Sequence, residues 1–252
     1  MGAAEMWRSV GAALVGFSAL AGLVSTAEAA GPADPPGARA DAGRATLPGD
    51  QRHQRRQVAK GLNEVVFDTA DSPFDPATAN QVWWSDRIPA GFANPNYIAG
   101  VCCATGEFRN FFTFDLRTLS KHVVSATLRI NTGDVRGDET ETLRLSDVST
   151  DAGTLNFNDG LNSGIFQDLG TGTVYGEYVI STDQDHVTLD LKLNQAAVRD
   201  LNRARGGFFS IGGRVTSLSA GATEEHIFAA SPNTSTETVQ LITRTAPGGP
   251  PR

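Results

Sequence analysis

The stretch HVVSATLRINT, at 122–132, changes character every second residue. Val124, Ala126, Leu128 and Ile130 fall on one side, and Val123, Ser125, Thr127 and Arg129 on the other. A two-residue period belongs to an extended strand, so the segment predicts a strand with one face in a core. The segment at 110–116 does the same with Phe112, Phe114 and Leu116. Further runs at 64–68, 81–84, 140–148, 173–180, 186–193, 207–215, 225–230 and 237–243 are separated by Gly, Asn, Asp and Ser clusters. Such spacing predicts an all-β chain whose antiparallel strands form a two-sheet sandwich. One segment, LNQAAVRDLNRAR, breaks the rhythm. Asn194 as N-cap, a stripe of Ala197, Val198 and Leu201, and Gly206 beyond the end predict one short connecting helix near 194–205.

The ends of the chain do not fit this pattern. Residues 1–29 combine Arg8, an apolar run and the A-x-A sequence Ala27-Glu28-Ala29, the layout of a secretory signal peptide. The apolar run is short for a membrane span, so the expectation is a secreted chain, extracellular or periplasmic, with no span after cleavage. Residues 30–60 lack an apolar period and read as a disordered linker; 61–245 form the β-sandwich domain, and 246–252 a disordered tail. The linker carries six Lys or Arg against three Asp, whereas 61–252 holds 14 basic and 23 acidic residues. An acidic body of this kind is a poor nucleic-acid partner, because phosphate binding needs a clustered basic face.

Four blocks, RNFFTFDL (109–116), VVSATLRI (123–130), GIFQDLGTGTVYGE (164–177) and GGFFSIGG (206–213), resemble a group of exported bacterial β-sandwich proteins of unassigned activity. Many of those carry a PEP-CTERM-type sorting tail. The resemblance covers about 63–243 and implies a jelly-roll-like fold similar to carbohydrate-binding modules. This chain departs from the group at RTAPGGPPR, where an apolar tail segment would stand.

Three constellations are candidates for function. Trp83 and Trp84 are adjacent, so on a strand their side chains point to opposite faces. An exposed indole with Tyr97 and Phe92 would give a ligand-binding platform for a sugar face, while burial of one indole and coverage of the other is the alternative. Asp134, Asp138, Glu139 and Glu141, in NTGDVRGDETE, offer oxygen ligands for a structural calcium, or else form a solvated turn. Cys102 and Cys103 are the only cysteines. In an oxidising compartment they form a vicinal disulfide, or remain free or linked to another chain. Neither a zinc-type spacing nor a nucleophile motif surrounds any Cys, His or Ser, so no catalytic residue is nominated.

The function expected is therefore a secreted, non-catalytic β-sandwich that binds cell-surface or extracellular polysaccharide. A structural or matrix protein acting through protein–protein contacts is the alternative. A polysaccharide hydrolase or lyase is a third reading.

Overall fold

A computed structural model describes residues 56–58, 62–71, 73–74, 82–89, 96–157, 160–229 and 239–246. The leader at 1–29, the linker up to residue 55 and the tail from 247 lie outside the described residues. Strands dominate, and they form two antiparallel sheets. One runs in spatial order β1 (Arg56–Val58), β2 (Leu62–Asp68), β13 (Gln240–Thr245), β6 (Val123–Asn131) and β10 (Thr188–Lys192). The other runs β7 (Asp134–Arg136), β12 (Glu225–Ala229), β4 (Tyr97–Val101), β5 (Glu107–Asp115), β11 (Phe208–Val215), β8 (Thr140–Asp147) and β9 (Val174–Ser181), with β3 (Trp83–Ser85) paired to β5. The result is the expected all-β sandwich with a short helix.

The two sheets differ in what covers them. In β5, every residue from Phe108 to Asp115 is buried. On one face Phe112 meets the Tyr97 ring edge-on at 5.3 Å, and the Tyr97 hydroxyl donates to the Asn131 carbonyl in the five-stranded sheet. On the other face lie two short helices, α1 (Ala152–Phe157) and α2 (Ser163–Asp168). Asn156 of α1 donates to Thr113 Oγ1 at 2.9 Å, and Arg109 donates to the Phe166 carbonyl of α2 at 2.9 Å. The five-stranded sheet instead alternates along β6: Ala126, Leu128 and Ile130 are buried, whereas Ser125, Thr127 and Arg129 are partly exposed. One covered face and one open face produce the alternation read from sequence.

The third helix, α3 (Gln195–Arg203), starts where expected. The Asn194 side chain accepts from the backbone N–H groups of Ala196 and Ala197, and Ala197, Val198 and Leu201 are buried. Helix α3 ends at Ala204, and Gly206 follows at φ 84°.

Four local differences have physical causes. Val124 is 37 % exposed and Val123 is buried. In the pairing with β13, Arg244 faces Ser125 and Thr245 faces Val123, so Val124 is the extra residue of a β-bulge that reverses the sides. Strand β4 lacks alternation because Tyr97, Ile98 and Ala99 are all buried, and it bends at Gly100, φ 118°. The polar, Gly-rich segments at 131–139 and 156–164, which show neither a strand nor a helix period, contain β7 and the flanks of α1 and α2. Lastly, Arg56–Val58 pairs with β2, so the sheet begins inside the segment whose composition suggests a linker.

Helix α2 can approach β11 closely because residue 212 has no side chain. A Cβ on Gly212 would stand 2.8 Å from the Leu169 carbonyl oxygen and 3.0 Å from its Cα, both backbone atoms that cannot swing aside. Gly212→Ala should therefore cost about 1–3 kcal/mol by overpacking, seen as a lower urea midpoint at unchanged slope.

Candidate functional site

Only the register of four strands decides which side chains meet on the open face of the five-stranded sheet. Gln240 of β13 lies between Asp68 of β2 and Arg129 of β6, and Arg129 faces Asp190 of β10. Two residues along, Ile242 lies between Val66 and Thr127, with Lys192 beyond. Two further along, Arg244 lies between Glu64 and Ser125. These three rows line a trough of about 610 Å³. Neighbouring strands are about 4.8 Å apart, so four strands make a trough roughly 14 Å long across the sheet.

Its groups are held before any ligand arrives. Gln240 Nε2 donates to Asp68 Oδ1 at 2.8 Å. Arg129 donates through Nε and Nη2 to both oxygens of Asp190, at 2.6 and 2.8 Å. That two-pronged hydrogen bond holds the Asp190 carboxyl below the usual carboxylate range and raises Arg129, with Glu64 adding to the latter. Glu64, Asp68 and Asp190 balance Arg129, Lys192 and Arg244, so the trough carries no net formal charge. The middle row supplies an apolar floor from Val66 and Ile242, both partly exposed. Planar polar groups above an apolar floor can orient a ligand that has hydroxyls at its edge and C–H groups on its face.

The tryptophan platform is not formed. Trp83 and Trp84 are each 3 % exposed and Tyr97 is 1 % exposed, so none presents a ring face. Trp83 packs edge-on to Phe108 at 4.9 Å, beside Ile98, and its Nε1 donates to Asn96 Oδ1 at 2.8 Å. Trp84 donates to the Leu155 carbonyl of α1 at 3.1 Å. The cause is β3 pairing with β5, which places one indole under α1 and the other in a small cluster of its own. Phe92 lies outside the described residues.

The calcium expectation fails for a related reason: the acids face different partners. Asp134 pairs with Arg136 at 2.9 Å, Asp138 accepts from Ser219 Oγ at 3.1 Å, and Glu139 is exposed. Among the described residues no group of three or more His, Cys, Asp or Glu is placed to hold a metal. Glu141 is fully buried; Ser217 Oγ donates to one oxygen and the Asp138 N–H to the other at 3.2 Å. Burial pushes this carboxyl up, the Ser217 and Asp138 hydrogen bonds oppose that, and the charges of Glu225 and Asp138 add to the rise.

Cys102 and Cys103 are bonded to each other. The pair opens the β4–β5 turn, where Thr105 N–H donates to the Cys102 carbonyl at 3.0 Å. Cys103 and Ala104 between them have φ of 63° and 56°. Two successive left-handed non-glycine residues are costly, and here the cross-link and a bond from Ala104 N–H to the Thr223 carbonyl, 3.2 Å, hold them. His226 is also buried. Its Nδ1 lies 3.3 Å from the Val101 carbonyl and its Nε2 3.7 Å from Asp134, and burial lowers its pKa against the pull of Asp134.

Arg129, Asp190, Gln240, Asp68 and Arg244 are the functional candidates that sequence reasoning missed. Alternation places Arg129 on the outward face of its strand, but nothing in the sequence says that β2, β13, β6 and β10 lie side by side.

Two outcomes follow from these environments. Because the folded chain holds the Glu141 proton to higher pH than the unfolded chain does, Glu141 favours folding most below the ordinary Glu value of about 4.3. That contribution is lost as pH rises through the raised value. The stability difference between wild type and Glu141→Gln, from urea unfolding at each pH, should fall as pH rises across this window. For the disulfide, adjacency leaves almost no loop to close. The double variant Cys102→Ser, Cys103→Ser should lose less than the roughly 2–4 kcal/mol of an ordinary cross-link, measured by the same unfolding assay.

Comparison with known proteins finds no family model that matches this chain, and no curated protein that matches it.

Proposed function

We propose that this chain is an exported, non-catalytic module that binds a neutral polysaccharide in the trough of the five-stranded sheet. The observation that carries the reading is the charge-balanced row Asp68–Gln240–Arg129–Asp190 beside the apolar floor of Val66 and Ile242. A sugar ring has both surfaces that such a trough complements: hydroxyls that take two-pronged hydrogen bonds, and C–H groups that shed water on a flat apolar strip. A strongly charged polymer would meet as much repulsion as attraction here. Export rests on the leader-like residues 1–29 and on the resemblance to exported β-sandwich proteins.

The test is affinity electrophoresis in gels cast with hydroxyethyl cellulose, galactomannan or dextran sulfate. Retardation is expected in at least one neutral gel and not in dextran sulfate. Gln240→Ala and Arg129→Ala should each weaken it about tenfold or more, as for lost hydrogen bonds to ligand of roughly 1.5–3 kcal/mol. Folding stability should change by less than about 1 kcal/mol, because the Arg129–Asp190 pair is solvent-exposed. Trp84→Phe should leave retardation unchanged. Mobility equal to that in a blank gel for all the neutral polymers overturns the reading.

A further inference from the structure

The helix-covered face of the eight-stranded sheet carries a second, unbalanced charge pattern, away from the trough. Arg214 of β11 stands directly opposite Arg144 of β8, and Arg109 of β5 lies on its other side. The outer two are answered. Arg109 donates to Glu107 at 2.8 Å and to the Phe166 carbonyl at 2.9 Å, and its guanidinium lies 4.0 Å from the centre of the Phe166 ring. Arg144 pairs with Glu177 at 2.7 Å.

Arg214, between them, is not answered. It makes no ion pair among the described residues, and its Nε is buried without an acceptor. Like charges opposite one another on neighbouring strands repel, and a donor taken out of water without a partner costs more still. The same crowding lowers the Arg214 pKa, through burial first and then the charges of Arg109 and Arg144, with Glu107 opposing. Residue 170 passes over both stems as a glycine: a Cβ would stand 2.5 Å from Arg109 Nη1 and 2.8 Å from Arg214 Cδ. The side chain as a whole remains partly exposed. Its outer nitrogens are therefore where added negative charge gains most on this face.

We propose that Arg214 anchors an oxyanion-binding site, taking a single carboxylate or sulfate group on its terminal nitrogens while Arg109 and Arg144 hold the field positive around it. This inference is independent of the polysaccharide reading, because it concerns the other sheet and a ligand of opposite character.

The probes are sodium glucuronate, sodium sulfate, glucose and sodium chloride, titrated into the full chain at matched ionic strength while arginine side-chain N–H resonances are followed. The expected result is a saturable shift at Arg214 with one or both oxyanions and with neither glucose nor chloride. Response to glucuronate alone identifies a uronate carboxylate as the group taken, and response to sulfate identifies a sulfate or sulfate ester. Arg214→Met, which keeps the apolar stem, should weaken binding at least tenfold. Without ligand it should melt no lower than wild type, since it relieves repulsion. The proposal is overturned if chloride reproduces the shift, if neither oxyanion saturates, if Arg214→Met binds as wild type does, or if that variant melts markedly lower.

Discussion

Burial of β5 on both faces is the constraint on which the rest depends. Phe111, Phe112 and Phe114 are at most 1 % exposed, and a side chain of this size contributes about 1.5–3 kcal/mol when removed from water. No single layer could cover all three, since Phe111 points away from its neighbours. The five-stranded sheet takes one side; α1 and α2 take the other. Thr113, caught between helix and sheet, is paired: its Oγ1 lies 2.9 Å from Ser210 Oγ and accepts from Asn156. Buried hydroxyls and amides cost little when they satisfy each other in this way.

That arrangement decides where a large ligand can be met. Helices occupy the outward face of the eight-stranded sheet around β5 and β11, whereas the five-stranded sheet keeps its trough of about 610 Å³ open. A trough floor built from strands also has little conformational freedom to lose. Arg129 and Asp190 already share two hydrogen bonds, as Gln240 and Asp68 share one, so ordering these groups for a ligand costs less entropy than ordering a loop would. The two faces differ in charge as well as in cover. Three acids match three bases across the trough, while among the described residues the three arginines on the other sheet have Glu107 and Glu177 as their only ion-pair partners.

Local features were legible in the sequence to the extent that their causes are local. The cap at Asn194 and the buried stripe of α3 depend on residues within one helix, and the alternation of β6 depends on one strand with one open face. Val124 was misplaced because the bulge arises in the pairing with β13, which lies more than a hundred residues away. The adjacent tryptophans pointed to a platform because a strand separates neighbours onto opposite faces. That inference is correct for the strand, yet β3 lies in a sheet covered on both sides, so separation buries both indoles. The trough residues were visible one at a time as outward polar positions, and only the spatial order β2–β13–β6–β10 assembles them.

Register is what turns that order into chemistry, and β13 is where it is fixed. A slip of one residue would turn Gln240, Ile242 and Arg244 into the core and bring Leu241 out. Besides Leu241, β13 buries two polar residues, Thr243 and Thr245, whose hydroxyls donate to the Val65 carbonyl at 3.0 Å and the Asn63 carbonyl at 3.3 Å. Each threonine bonds to the residue directly opposite it on β2. In a pairing slipped by one residue these bonds would be broken, and the Arg244 charge and the Gln240 amide would enter the core at a cost well above that of losing an exposed ion pair. The composition of the open face is thus held in place from beneath, by hydroxyls that no ligand touches.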